Sequence, residues 1–169
     1  MKAWYLLYSK PQRERLALEN LERQGYPSYL PLIQNRKRRK GRYVSVIEPM
    51  FPRYLFVHLS DETDNWGPIR STIGVANLVR FGMQAARVPD SLIEIMNARE
   101  QDGVQTLAPS DFKPGDQVRI VEGVMAGYEA LFQARTGKER VVLLLQLAQD
   151  RTARIQVSAN DIEPASRRW

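Results

Sequence analysis

Apolar positions in the first hundred residues switch between a short-range strand rhythm and a helical one, and the switches mark the elements. The apolar stretch from Lys2 to Ser9 is too brief for a membrane span and reads as a strand. Pro11 then stands at the start of a helix over residues 13–24, which Gly25 and Pro27 stop. Leu16, Ala17, Leu18 and Leu21 supply its apolar side, while Arg13, Asn20, Arg23 and Gln24 stay on the polar side. Residues 29–34 and 43–47 read as strands flanking a basic tip, RKRRKGR, and residues 51–59 form a strong strand. Alternation in that strand places Leu55, Val57 and Leu59 on one face and Tyr54, Phe56 and His58 on the other. A short helix over 65–71, a strand over 75–80 and a closing helix over 89–99, with Leu92, Ile93 and Met96 on one side, complete the series. The expected fold class is α+β, with two helices packed on one mainly antiparallel sheet over residues 1–100.

Residues 101–113 are poor in large apolar side chains and contain Gly103, Pro109 and Ser110, so a flexible linker is expected there. From Pro114 the pattern becomes short apolar runs broken by turn residues, PGDQVRIVEG, VMAGYEALFQA, ERVVLLLQLA and ARIQVSANDIEP. That spacing suits a small five-stranded barrel over 114–164, with Gly123 and Gly127 at positions of positive φ or close approach. A second reading competes with it. Residues 141–148 alternate poorly and are rich in Leu, so residues 128–157 can also be written as a helical hairpin turning near 136–138.

Composition changes this picture in three ways. The formal charge of +6 is confined to residues 1–100, which hold 16 Lys and Arg against 10 Asp and Glu, whereas residues 101–169 hold 9 of each. A basic domain beside a neutral one points to a polyanionic partner for the first. Cysteine is absent, which excludes disulfides and thiolate metal sites, and no signal-peptide core is visible, so a cytoplasmic location is expected. One histidine, His58, with no paired carboxylates and no glycine loop for phosphate argues against an enzyme, and no cofactor or metal is implied.

The strings WYLLYSK, EPMFPRYLFV, GVANLVRFG and FKPGDQVRIVEGVMAGYEALF resemble, in order and spacing, the NusG family of transcription elongation factors. EPMFPRYLFV, VRFG, and ALF followed by RVVLLLQL are most similar to its specialised RfaH branch, a transcription antitermination protein. The resemblance implies a NusG N-terminal (NGN) α/β sandwich over 1–100, a linker over 101–113, and a C-terminal KOW domain over 114–164. It implies an apolar patch for the clamp helices of RNA polymerase at Tyr8, Phe51, Pro52, Tyr54 and Phe56. A second polymerase contact is implied at Asn65, Trp66 and Gly67, where the chain departs from the branch's His-Thr-Thr run. Binding of the non-template DNA strand at pause sites is implied for Lys10, Asn20, Arg23, Gln24, Thr72 and Gly74. Here Asn20 replaces a usual His and Ile73 a usual Arg, which leaves the DNA element open. Lys10 and Arg23 suit phosphates, and Asn20 and Gln24 suit base edges.

The branch further implies a fold switch, in which the C-terminal domain is either a barrel or an α-helical hairpin that covers the patch in an autoinhibited state. Ile93, Phe132, Leu143, Leu144 and Leu147 are the expected apolar interface, and Glu48 with Arg140 the expected interdomain ion pair. Implied partners are RNA polymerase and, for the second domain, ribosomal protein S10 or the termination factor Rho in the general factor and S10 in the RfaH branch, for a monomer acting away from membranes. From the residues alone, the Tyr54/Phe56 face is covered by polymerase, by the second domain or by a loop, and a free-standing RNA or ribosome module remains the rival reading. The basic run at 36–42 reads either as a backbone contact to nucleic acid or as a solvated loop.

Overall fold

A computed structural model describes residues 1–106 and 126–167, with side chains of the last helix described as far as Arg154. The central strand is β1 (Lys2–Ser9), paired antiparallel along its whole length with β5 (Tyr54–Ser60), from Lys2 opposite Ser60 to Tyr8 opposite Tyr54. The short β2 (Ser28–Tyr29) adds to the outer side of β5, and β6 (Val75–Leu78) and β9 (Arg87–Val88) pair with β1. Between those two lies a small ribbon of β7 (Arg80–Phe81) and β8 (Gln84–Ala85).

Because successive side chains of β1 and β5 point to opposite faces, the sheet has two cores. On one face Ala3, Tyr5, Leu7, Leu55, Val57 and Leu59 pack under α1 (Glu14–Arg23), through Ala17 and Leu21, and under Ile69 of α2 (Gly67–Arg70). On the other, Leu6 and Phe56 meet α3 (Asp90–Arg99) through Leu92, Ile93 and Met96. Helix α1 is one residue shorter than the sequence pattern at each end, and α2 is confined to four residues between Trp66 and Ser71.

Two expectations are corrected. The basic run is not a loop: β3 (Leu32–Arg39) and β4 (Arg42–Pro49) form a long antiparallel arm that carries it. Its turn is the two residues Lys40 and Gly41, at φ 51 and 75. Two positive φ values in a two-residue loop match the twist of the strands, so pairing continues to Arg39 opposite Arg42. The expected linker also begins too early, since β10 (Val104–Thr106) runs parallel to Leu32, Ile33 and Gln34 of β3. A three-residue strand paired to a segment seventy residues away leaves no periodic signal of its own.

The remaining described chain is helical. Helix α4 (Ala126–Gln133) and the long α5 (Gly137–Arg167) form an antiparallel hairpin that turns over residues 134–136. Of the two readings of this segment, the hairpin is the one present here. Gly127 lies inside α4 rather than at a barrel turn, and Gly123 and residues 107–125 lie outside the described chain. Arg140, Leu144, Ala148 and Thr152, spaced by four, form a single buried stripe along α5. This ridge sits on the sheet body, and the Leu, Gln, Ala and Arg residues around it favour helix.

Candidate functional site

Two surfaces gather the residues singled out above. The first is the apolar patch at the start of β5. Phe51 and Phe56 meet edge to face at 5.9 Å, and Tyr54 lies 5.0 Å from Tyr8. The Arg53 guanidinium sits 4.0 Å over the Tyr8 ring, and its Nε donates to the Ser9 carbonyl. Arg53 itself has φ 72, and the carboxylate of Glu14 accepts from its backbone N–H, so the first turn of α1 holds the bend that presents the patch.

The hairpin covers this patch. Phe51 and Phe56 share one buried cluster with Ile93, Met96, Tyr128, Leu131, Phe132, Leu144 and Ala148. Pro52 abuts the hairpin tip, where a Cβ added to Gly137 would lie 2.6 Å from the Pro52 ring. Tyr8 and Tyr54 are half-buried at the rim. Burial raises the Tyr54 pKa, with Tyr8 adding to the rise and Arg53 opposing it. Ile93, Phe132 and Leu144 are buried here, whereas Leu143 and Leu147 are half-buried and line a cleft of about 670 Å³ beside Tyr128 and Ser91.

Arg140 enters this interface without the ion pair expected of it. Glu48 pairs instead with Lys37 at 2.6 Å and accepts from Asn35 at 3.4 Å. Burial alone would raise the Glu48 pKa, but the Lys37 and Asn35 hydrogen bonds and the charges of Lys37 and Arg140 bring it below its ordinary value. Arg140, with no exposed surface, donates from Nε to the Met50 carbonyl at 2.7 Å and from Nη1 to the Ala134 carbonyl at 3.0 Å. Burial lowers its pKa, and the fields of Glu48 and Glu139 partly offset this. Glu48 thus acts on Arg140 through space, and the guanidinium bolts the turn of the hairpin to the bend before the patch.

Sequence reasoning missed four residues of the cover. Tyr128 shares a 2.8 Å hydrogen bond with Ser91 on α3, Leu131 packs fully buried beside it, and the Thr152 hydroxyl accepts from the Arg87 backbone N–H at 3.1 Å. Ala148 completes the stripe. For Ala148 and Thr152 the spacing by four from Arg140 was the available signal, hidden by the polar ends of the series.

The second surface joins α1 to the turn before β6. Gln24 donates to the Thr72 hydroxyl at 2.8 Å, and Asn20 donates to the carbonyls of Leu16 at 2.9 Å and Ile73 at 3.5 Å. The Lys10 backbone N–H donates to the Gly74 carbonyl at 2.9 Å. Lys10, Asn20 and Gln24 are therefore gathered on one surface over the buried Thr72 and Gly74, with Ile73 standing 66% exposed in its middle. Arg23 lies on the same helix but is engaged at 2.8 Å by Glu19, an exposed pair of small energetic weight. Asn65, Trp66 and Gly67 lie elsewhere, in the turn that starts α2. The Asn65 side chain accepts from the Gly67 N–H, its carbonyl accepts from Tyr26, and the Trp66 indole donates to Ser60 while meeting Tyr5 edge-on. His58 stacks on Trp4 at 4.6 Å.

Gly74 is what permits the second surface. Its φ is +96, and a Cβ there would lie 2.7 Å from the backbone nitrogen of Ala17. Gly74→Ala is expected to cost about 2–4 kcal/mol from the left-handed backbone and the clash together. The urea midpoint should fall accordingly, and an unchanged midpoint would show that the turn moves off α1 freely.

The family model described as transcription termination factor nusG matches residues 2–97. The transcription termination/antitermination protein NusG of Thermus thermophilus is 30% identical over 145 residues, covering 74% of this chain and 78% of the relative. Its namesake from Chlamydia pneumoniae is 26% identical over 139 residues, covering 76% and 75%. A solved structure concerned with domain interaction in Thermotoga maritima NusG matches 60% of this chain and 61% of its own, at 21% identity and a TM-score of 0.40.

Proposed function

The chain belongs to the NusG family of transcription termination and antitermination factors, and from that premise we propose that it is an autoinhibited elongation factor of the antiterminating, RfaH-like kind. In this reading Tyr8, Phe51, Pro52, Tyr54 and Phe56 dock on the clamp helices of RNA polymerase once the α4–α5 hairpin leaves. The Lys10, Asn20, Arg23, Gln24, Thr72 and Gly74 surface meets the displaced non-template DNA strand at pause sites, suppressing pausing and termination. Asn65, Trp66 and Gly67 belong to a turn whose polar groups are already engaged, so they are the weaker part of the polymerase assignment.

One observation carries the proposal: the apolar face of β5 that a polymerase contact would need is buried under the hairpin and pinned there by Arg140. Magnitudes favour a cover held by apolar contact. Leu131, Phe132 and Leu144 each contribute about 1.5–3 kcal/mol when fully buried, against roughly 0–1 kcal/mol for an exposed ion pair. After release, residues 114–164 would form the KOW barrel that recruits ribosomal protein S10 and so couples transcription to translation; Rho would be the partner of the general-factor alternative. The split local preference of residues 141–148 supports that step.

Capture of RNA polymerase elongation complexes tests the reading. The full chain should bind weakly on complexes lacking a recognised pause sequence and strongly on complexes halted at one. Tyr8→Ala with Tyr54→Ala, both at the rim of the patch, should reduce the strong binding at least tenfold. Equal binding to every complex would make the chain a constitutive NusG-like factor. No binding to any complex, with RNA or ribosomes captured instead, would favour the free-standing module.

A further inference from the structure

The β3–β4 arm has two unlike faces, and neither surface described above uses the outward one. Cross-strand register puts Ile33, Asn35, Lys37, Val44, Val46 and Glu48 on one face. On that face Glu48 engages both Lys37 and Asn35, while Arg39 and Arg42 stand at its tip. The other face holds Gln34 opposite Ile47, Arg36 opposite Ser45, and Arg38 opposite Tyr43, all exposed. Arg36 and Arg38 have no carboxylate partner among the described residues. Tyr43 is 67% and Ile47 51% exposed, and among the described residues no ring or guanidinium stacks on Tyr43.

We infer that this outward face of the arm is a binding surface for single-stranded RNA. Arg36 and Arg38, two residues apart on a strand, stand about 7 Å from each other, which matches the spacing of successive phosphates along an extended single strand. Tyr43 beside them offers an uncovered ring on which an unpaired base can stack, a contact that a duplex, with its bases already stacked, does not supply. Gln34 donates to the Ser45 hydroxyl at 2.5 Å, so its amide oxygen is left as an acceptor. Phosphate has no hydrogen to give that oxygen, whereas a ribose 2′-OH does. The choice of RNA over DNA also rests on the proposed function, which gives the displaced DNA strand to the α1 surface and leaves the transcript as the unpaired strand.

Fluorescence anisotropy of the full-length protein with a short labelled RNA, the same sequence as single-stranded DNA, and a duplex DNA of equal length tests this without polymerase. RNA should bind most tightly. Tyr43→Ala should weaken it by about fivefold or more, Tyr43→Phe should retain it, and Arg36→Gln with Arg38→Gln should flatten the log–log salt dependence by about 1.4. The inference is overturned if Tyr43→Ala leaves RNA affinity unchanged, if the duplex binds as well as the single strand, or if the DNA strand is preferred. Failure of the proposed function would show differently: polymerase capture would survive Tyr8→Ala with Tyr54→Ala, whatever the anisotropy reads.

Discussion

Leu144→Asp is expected to undock the α4–α5 hairpin and raise the affinity of the full-length protein for RNA polymerase about 10- to 100-fold at any sequence. Leu144 has no exposed surface and shares its cluster with Phe51, Phe56 and Ile93. Among these apolar neighbours a carboxylate would cost several kcal/mol to bury, since the Arg140 guanidinium four residues before it is held by the Met50 and Ala134 carbonyls. The sheet and α1 do not depend on residue 144, so the less costly response is for the hairpin to leave and hydrate the new charge. Each 1.4 kcal/mol removed from closure multiplies the open population tenfold until the open form predominates, which limits the gain. Titration of elongation complexes lacking a pause sequence reads the affinity, and amide exchange in α5 reads the undocking. Faster exchange in α5 with unchanged affinity would mean that the covered face is not where polymerase binds.

Arg140→Ala is expected to loosen closure by about 2–4 kcal/mol, since it removes two hydrogen bonds from a buried cation and strips packing at the hairpin turn. The Met50 and Ala134 carbonyls would lose their donors. Arg140→Met should cost less, because it keeps the bulk and also removes the desolvation of the charge, including the Nη2 atom that is buried without a partner. In exchange experiments the alanine variant should speed α5 amides about 30- to 1000-fold, with the methionine variant between it and the wild type. Glu48→Gln should change α5 much less, because Glu48 touches Lys37 rather than Arg140. A Glu48 effect as large as that of Arg140→Ala would restore the expected ion pair as the main fastening.

The face assignment of residues 54–59 was legible in sequence because strand alternation is a local property: Leu55, Val57 and Leu59 meet α1, and Tyr54 and Phe56 turn the other way. The proximity of Asn20 and Gln24 was equally legible from helical spacing. Their junction with Thr72 and Gly74 was not legible from spacing and entered only through family resemblance, since it depends on a φ of +96 and a close approach to Ala17. The arm was misread because RKRRKGR looks like a solvated loop until the Lys40–Gly41 turn is recognised as one that lets pairing run to its tip. Arg140 meets the Met50 and Ala134 carbonyls while Glu48, the partner expected of it, takes Lys37, because charge complementarity in sequence says nothing of which acceptor the guanidinium reaches first.

By itself, then, the sequence determined the alternating strands, the helical stripes, the basic character of residues 1–100 and the family, all of which rest on short-range periodicity, on charge or on motifs in order. For residues 126–154 it determined only a choice, since Leu, Gln and Ala favour helix while the broken apolar runs favour strands. The tertiary structure decided that choice. Burying Leu131, Phe132, Leu144 and Ala148 against Phe51, Phe56 and Ile93 joins segments far apart in the chain, and the energy of that burial exceeds the few tenths of a kcal/mol per residue by which local propensities differ.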